Sequence, residues 1–325
     1  MSDSCRKPTR NFCSVMRRYV SEEIRSFTSR PLFDKQTLLS NKDQEYPKIS
    51  IIVPSFNQAQ YLERTILSIL NQNYPNLELI IIDGGSTDGS VDIIKKYERY
   101  LTCWISEKDN GQAEAINKGF KIAKGDIIAW QNSDDLYLPN ALFEVAKIFM
   151  KNPGVDLVFG NVCLIDSGDN ITKEQRFIPF SLEHLLYCGW NLSSQATFWS
   201  KNVMNKVGYL KILHVLFDLD WFIKVGKASK NIKFKDNFWG CYRIHEESKF
   251  SLVSEKDRWP LFVNILKEHG VEIKEDVSWR KQFSVKKFQI QLRWLFYHLI
   301  QGEGGYLVKA LLRKLVPSPK CMGKE

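Results

Sequence analysis

Four short runs of β-branched and aromatic residues constrain the fold of this 325-residue chain more than any other feature. They lie at 49–53, 77–82, 102–106 and 126–130, and each ends in a polar loop that is followed by an amphipathic stretch. Strands that alternate with helices roughly every 25–30 residues are typical of βαβ units. The predicted fold class is therefore α/β, with a mostly parallel, Rossmann-like sheet flanked by helices.

Charge and strand signals divide the chain into three predicted regions. Residues 1–46 form an N-terminal extension, residues 47–250 the α/β domain, and residues 251–325 a helical, basic C-terminal region. The chain carries 46 basic and 37 acidic residues, and the basic excess lies at its two ends. Nucleic-acid binding usually needs a basic stripe across the main domain, so no nucleic-acid partner is predicted.

The sequence also indicates where the protein works. It has no apolar run of about 18 residues, which excludes a membrane-spanning helix, and no signal peptide is predicted. Seven cysteines without a Cys-x-x-Cys pair favour free thiols in a reducing cytosol. The C-terminal helices combine apolar residues such as Trp294 and Phe296 with basic residues such as Lys309 and Arg313. They are predicted to contact the inner face of a membrane, the catalytic domain or a second subunit.

Polar side chains stand at the ends of the predicted strands. Ser55 follows the first strand, Asp83 the second, and Asp134 and Asp135 the fourth. Ligands bind at the carboxyl ends of parallel strands, so these groups are expected to gather along one edge of the sheet. Two adjacent carboxylates repel each other unless a cation or a donor satisfies them, and Mg²⁺ or Mn²⁺ prefers such oxygen ligands. The pair therefore favours a metal site over a solvated turn.

Four segments in register resemble the family 2 glycosyltransferases of the GT-A fold. They are Ile51–Asn57 (IIVPSFN), Ile82–Asp88 (IDGGSTD), Asp109–Gln112 (DNGQ) and Asn132–Asp135 (NSDD). The resemblance covers about residues 48–250 and implies a GT-A-type sheet. It further implies transfer of a sugar from a nucleoside diphosphate donor, with UDP expected, usually with inversion. The expected acceptor is a glycan, or a lipid-linked molecule if the C-terminal helices contact a membrane.

By the same resemblance, a nucleotide site lies along the strand ends, with Pro54 and Ser55 bordering the base. Asp83 binds the base or ribose, Asp109 lies at the other edge of the base, and Asp134 faces the ribose. Asp135 coordinates Mn²⁺ or Mg²⁺ through the diphosphate, as part of the Asp-x-Asp motif of the family. Asn132 stands where the family often has another Asp, which leaves the number of metal ligands open.

The resemblance also implies residues on the acceptor side. Asp218, at the predicted start of a helix, matches the base that deprotonates the acceptor, with Asp220 as its neighbour; both could instead be ordinary residues of a first helical turn. His245 matches a second metal ligand, with Arg243 near the phosphates. The acceptor loop falls near Trp190 and Gln195, where the tryptophans could also serve core packing.

Two other functions compete with glycosyl transfer. A nucleotidyltransferase also combines an α/β sheet, a nucleotide and a carboxylate-held metal, but it releases pyrophosphate instead of a nucleoside diphosphate. A non-catalytic protein of the same fold would bind the donor without turnover.

Overall fold

One nine-stranded sheet organises the part of the chain that the structure describes. This computed structural model describes residues 19–40, 45–189, 191–248, 252–273 and 277–308. The strands are β1 (Ile49–Ser55), β2 (Leu77–Asp83), β3 (Cys103–Ser106), β4 (Ile127–Trp130), β5 (Leu136–Tyr137), β6 (Leu157–Ile165), β7 (Ile171–Gln175), β8 (Thr197–Ser200) and β9 (Ile232–Arg243). Their order is β3-β2-β1-β4-β8-β6-β9-β5, and β7 pairs with β6.

The α-helices connect and cover these strands. They are α1 (Ser21–Thr28), α2 (Lys35–Ser40), α3 (Ala59–Leu70), α4 (Ser90–Tyr97), α5 (Gln112–Ile122), α6 (Ala141–Lys151), α7 (Leu182–Cys188), α8 (Lys201–Val207), α9 (Phe217–Ala228), α10 (Glu255–Glu268) and α11 (Val277–Ile300). Within the described ranges, no helix has both the length and the apolar character needed to cross a membrane.

The two halves of the sheet are built differently. Strands β1 to β4 pair in parallel and are joined by α3, α4 and α5, which confirms the α/β fold class. In the other half, β8 runs antiparallel to β4 and β6, and β5 runs antiparallel to β9. Strands β6 and β9 are parallel. The sheet is thus parallel where strands and helices alternate along the sequence and mixed beyond that point.

Apolar side chains fill the interior around β1 and β2, each of which is buried along its whole length. Trp130, Trp199 and Trp221 meet in this core, with ring centroids 4.7–5.9 Å apart. Trp199 is fully buried, so the packing interpretation of this tryptophan is the one that the structure supports.

Helices α3 and α4 share one capping side chain, and α3 begins two residues after Asn57. Asn57 has φ +50°, and the helix begins at Ala59. The Asp88 carboxylate accepts the backbone N–H of Ala59 at 2.8 Å and that of Ser90 at 3.0 Å. One side chain therefore caps two helices, because it receives N–H groups that helix starts leave without partners.

The C-terminal helices pack on the α/β domain. Lys286 and Arg293 of α11 both pair with Glu183 of α7, at 2.7 and 2.9 Å. The outer side of α11 still exposes Phe288 and Phe296. Lys309 and Arg313 lie outside the described residues, so contact of this region with a membrane or a second subunit stays a prediction.

Candidate active site

The predicted nucleotide residues meet at the carboxyl ends of β1 and β2. Ser55 and Asp83 are register partners on these neighbouring strands, and Pro54 pairs with Ile82. Asp109, in the loop after β3, approaches the same place: a Cβ added to Gly84 would lie 3.0 Å from Asp109 Oδ2. The structure therefore brings Pro54, Ser55, Asp83 and Asp109 together; the strand pattern predicts this for Ser55 and Asp83, and the family resemblance implies it for Pro54 and Asp109.

Within this group, Asp83 and Ser55 differ in their hydrogen bonding. Asp83 is fully buried, and its Oδ2 accepts the backbone N–H of Ser86 at 2.9 Å and the hydroxyl of Ser106 at 2.7 Å. It therefore shapes the turn after β2. Ser55 Oγ is buried without a hydrogen-bond partner among the described residues. A buried hydroxyl without a hydrogen-bond partner is unfavourable, and the described residues leave the hydrogen-bonding capacity of Ser55 unused.

Asp135 is enclosed by the protein. It is fully buried, and its Oδ2 accepts hydrogen bonds from Gln195 Nε2 at 2.6 Å and Asn132 Nδ2 at 2.9 Å. Its Oδ1 accepts the backbone N–H of Arg243 at 2.7 Å. Burial, followed by the neighbouring charge of Asp134, raises the pKa of Asp135 well above its usual value. Asp135 thus ties together segments that are distant in sequence.

This arrangement explains Asn132, which differs from the pattern of the family. Its Nδ2 donates to Asp135, while its Oδ1 accepts from Gln112 Nε2 of α5 at 2.7 Å. An Asp at position 132 would bring a second carboxylate to Asp135 and could not donate while ionised. The amide is therefore the side chain that suits a buried Asp135.

The group that faces His245 is Asp134. His245 Nε2 lies 3.0 Å from Asp134 Oδ2, and the Asp134 side chain keeps 18% exposure. The family resemblance assigns the ion to Asp135 and His245. Among the described residues, both oxygens of Asp135 accept protein hydrogen bonds and His245 pairs with Asp134, so the metal role of Asp135 stays a prediction.

Arg243 supports this loop from inside the protein. It is fully buried, its Nε donates to the backbone oxygen of Asp134 at 2.7 Å, and its guanidinium lies 4.6 Å from the ring centroid of Tyr61. Its side chain is thus held by protein groups, and a place near the donor phosphates stays a prediction. The ring of Tyr61 also packs 4.8 Å from that of His245, so one aromatic side chain positions both residues.

Sequence reasoning missed Asp169, in the β6–β7 turn. It is fully buried between Arg243 Nη2 at 2.6 Å and Arg64 Nη1 at 2.5 Å. Arg64 is on α3, and its guanidinium also donates to Thr28 of α1. The local sequence around Asp169 resembles any polar turn. Only its contacts in the structure show that it holds Arg243, which in turn supports the loop that carries Asp134 and Asp135.

Asp218 lies on the other side of the site, in the first turn of α9. Its Oδ1 accepts the N–H of the adjacent Leu219 at 2.9 Å. Burial raises the pKa of Asp218 to about 6, with no other charged residue as a cause. The residue before α9, Leu216, adopts the left-handed conformation with φ +62°, which is uncommon for a leucine. The nearby Asp220 instead pairs with His269 at 2.9 Å and Lys224 at 2.7 Å, which is a structural role.

A chamber of about 740 Å³ opens in front of Asp218. Gln195 and Asn132 reach its wall, so it adjoins the Asp134–Asp135 loop. Tyr242 lines it as well, and its pKa is raised by burial and then by the charges of Asp135, Asp134 and Asp218. The metal-side and acceptor-side groups therefore border one space. Trp190, which was predicted for the acceptor region, lies outside the described residues.

The described residues contain no group of three or more His, Cys, Asp or Glu side chains that could hold a metal ion unaided. The pair Asp134–His245 presents one carboxylate and one imidazole. Mg²⁺ is often bound by one or two carboxylates together with substrate phosphates and water, and Mn²⁺ accepts imidazole as well. The donor set thus fits an ion that binds together with a diphosphate.

Comparisons with known proteins identify the family of this chain. The model of the family described as Glycosyl transferase family 2 matches residues 50–215. An uncharacterized glycosyltransferase of Nostoc sp. is 34% identical over 125 residues, which are 38% of each protein. One of Rickettsia typhi is 26% identical over 296 residues, 83% of this chain and 91% of that protein. A PGL/p-HBAD biosynthesis glycosyltransferase of Mycobacterium bovis is 31% identical and covers 55% of this chain and 69% of its own length.

Solved structures agree on the fold. A crystal structure of S. aureus TarS 1-349 in complex with UDP-GlcNAc has a TM-score of 0.54 and 19% identity to this chain. The match covers 67% of this chain and 65% of that one. It supports the predicted GT-A-like fold with a helical C-terminal region. Fold, motifs and family match all lead to one conclusion: the chain belongs to family 2 of the glycosyltransferases and is an enzyme of that class.

Proposed function

We propose that the protein transfers a glycosyl group from a nucleoside diphosphate sugar to an acceptor hydroxyl in a single inverting displacement. The observation that carries this proposal is the wall of the chamber, where Asp218 is the only carboxylate among the described lining residues. Retention through a covalent intermediate usually needs a second carboxylate as nucleophile. A chamber with one carboxylate supports direct displacement with one base.

Asp218 is the proposed base. With a pKa of about 6, it is ionised at neutral pH and remains more basic than an ordinary carboxylate. Its carboxylate takes the proton of the acceptor hydroxyl while the hydroxyl oxygen forms a bond to the anomeric carbon. The bond between that carbon and the diphosphate oxygen breaks on the opposite face, and its electron pair leaves with the nucleoside diphosphate.

The donor nucleotide is proposed to lie at the ends of β1 and β2, bordered by Pro54, Ser55, Asp83 and Asp109. The unpartnered Ser55 hydroxyl and the Asp83 turn support this location, because they offer polar groups beside an apolar strand end. The donor base is proposed to be uracil. This follows from the family resemblance and from the fold shared with TarS, which was crystallised with UDP-GlcNAc.

Asp134 and His245 are the proposed metal ligands, in place of Asp135. Their 3.0 Å contact and the exposure of Asp134 support this choice. When bound there, Mn²⁺ or Mg²⁺ would supply positive charge that stabilises the departing diphosphate. Asp135 is proposed to position the loop that carries Asp134, through its three hydrogen bonds.

A product assay tests the proposed reaction. The purified protein is incubated with UDP-sugars, Mn²⁺ and an acceptor panel, and released UDP, pyrophosphate and the anomeric configuration of the product are measured. We expect UDP and an inverted product; pyrophosphate would instead indicate a nucleotidyltransferase, and donor binding without turnover a binding protein.

Asp218→Asn should lower kcat by roughly 10²–10⁴-fold, while Asp220→Asn, the matched control, keeps it. Full activity in Asp218→Asn would refute the base assignment.

A further inference from the structure

The chamber in front of Asp218 is larger and more apolar than a sugar needs. Its volume is about 740 Å³. Its described lining includes Val162, Leu164, Phe177, Leu192, Val215 and Phe217. Two polar groups of the lining, Gln195 and Asn132, lie where the chamber adjoins the Asp134–Asp135 loop. The chamber thus has polar groups beside the proposed donor site and a large apolar surface elsewhere.

Aromatic side chains form part of this apolar surface. Trp259 lies 5.7 Å from Phe262 and 5.9 Å from Phe283, measured between ring centroids. Phe283 lies 5.4 Å from Tyr187 of α7. These four residues, which we call the aromatic wall, all line the chamber. Three of them are on α10 and α11, outside the 50–215 segment that the family model matches.

Charged side chains are few in the described lining of the chamber. The cationic ones other than histidine are Arg258 and Lys287, and Asp218 is the only anionic one. A polyhydroxylated glycan that filled the chamber would place many of its hydroxyl groups against aliphatic and aromatic carbon, which cannot replace their hydrogen bonds to water, and this is unfavourable. An apolar group would instead gain from leaving water.

From this contrast, and resting on the proposed function, we infer that the acceptor is amphipathic. Its reactive hydroxyl faces Asp218, and an alkyl or aryl aglycone attached to the same molecule occupies the space against the aromatic wall. The transfer step is the displacement described above, and the aglycone takes no part in it. The C-terminal helices thereby contribute to selection of the acceptor.

Binding of simple glycosides tests this inference without knowledge of the natural acceptor. The dissociation constants of n-octyl β-D-glucoside, below its critical micelle concentration, and of methyl β-D-glucoside are measured by calorimetry in the presence of UDP and Mn²⁺. Because both carry the same sugar, they differ in the aglycone alone. We expect the octyl glycoside to bind at least about tenfold more tightly.

Substitutions locate the binding. Val215→Trp fills the chamber and should weaken octyl glucoside binding by at least about tenfold, whereas Ile212→Trp adds the same ring at an exposed position of the same loop and should leave it unchanged. Phe262→Gln, a second variant, removes one ring of the aromatic wall and should also weaken it. UDP affinity should be the same in all of these proteins.

The outcomes separate the two proposals. Equal binding of the two glycosides, or undiminished octyl glucoside binding in both chamber variants, overturns the amphipathic acceptor. Failure to bind UDP or to release it from a UDP-sugar counts against the proposed function instead.

Discussion

The two sides of the candidate active site treat their carboxylates in opposite ways. At the ends of β1 and β2 and around the Asp134–Asp135 loop, Asp83, Asp135 and Asp169 are fully buried and accept hydrogen bonds or ion pairs from protein groups. On the acceptor side, Asp218 accepts one hydrogen bond from another described residue, and burial raises its pKa to about 6. A carboxylate whose oxygens are satisfied builds the site, whereas one that lacks partners is available to react.

The largest effect on stability is expected at Asp169. Asp169→Asn removes the negative charge between Arg64 and Arg243 and leaves buried positive charge unpaired. Loss of one partner of a buried ion pair typically lowers the free energy of unfolding by about 3–5 kcal/mol. Urea denaturation measures this loss. Asp166→Asn, in the same turn but partly exposed, is the control and should cost about 1 kcal/mol or less; equal losses would contradict a special role for Asp169.

A second effect distinguishes the adjacent pair Asp134 and Asp135. Asp135→Ala leaves three donors without their acceptor and should lower the free energy of unfolding by about 2–4 kcal/mol. Asp134→Ala should cost about 1 kcal/mol or less, because this side chain is partly exposed. Thermal or urea denaturation of the two variants gives the comparison.

For metal binding, the substitution of Asp134 should have the larger effect, whereas for stability it is the substitution of Asp135. Asp134→Ala is expected to abolish Mn²⁺ binding in the presence of UDP, measured by electron paramagnetic resonance of free Mn²⁺. Loss of Mn²⁺ binding in a folded Asp135→Ala protein, with binding kept in Asp134→Ala, would restore the original assignment of the metal to Asp135.

Asp218→Asn should stabilise the protein at high pH, whereas the substitutions above destabilise it. Its pKa is raised from 3.8 to about 6, so the folded state binds a proton more tightly than the unfolded state does. Its contribution to stability is therefore favourable below about pH 4 and is lost as the pH rises through 6. At pH 8, Asp218→Asn should raise the free energy of unfolding by up to about 3 kcal/mol, and at pH 4 the gain should vanish. A destabilised variant at pH 8 would contradict the pKa assignment.

The smallest effect is the pH profile of the reaction. If Asp218 must be ionised, kcat/KM of the wild-type enzyme should be level above about pH 7 and fall roughly tenfold per pH unit below pH 6. Asp220→Asn should keep this profile. An acid limb near pH 4 would indicate a base with an ordinary carboxyl pKa.

Much of the donor side could be predicted from the sequence because its geometry is local. Ser55 and Asp83 each end a short apolar strand, and parallel pairing brings these strand ends together without further information, whereas the place of Asp109 was given by the family resemblance. The mixed half of the sheet is different. Strands β6, β8 and β9 pair across long sequence separations, so their order does not follow from alternation of strand and helix.

The different surroundings of Asp134 and Asp135 could not be predicted from the sequence for a related reason. Two adjacent acidic residues differ only in which way their side chains point. That direction depends on Gln195, 60 residues away, and on Arg243, 108 residues away. Asp169 was missed because its partners Arg64 and Arg243 come from a helix and a strand that the sequence does not link to its turn.

The left-handed backbone of Leu216 has a consequence for engineering this enzyme. A leucine in this conformation stores roughly 1 kcal/mol of strain, which a glycine would not. Leu216→Gly would therefore remove this backbone strain just before α9, the helix that carries the proposed base Asp218. Because glycine is conformationally permissive, it would also make the start of that helix more flexible. A gain in thermal stability from this substitution would therefore come with less accurate positioning of the Asp218 carboxylate. Directed evolution for faster turnover should leave Leu216 unchanged.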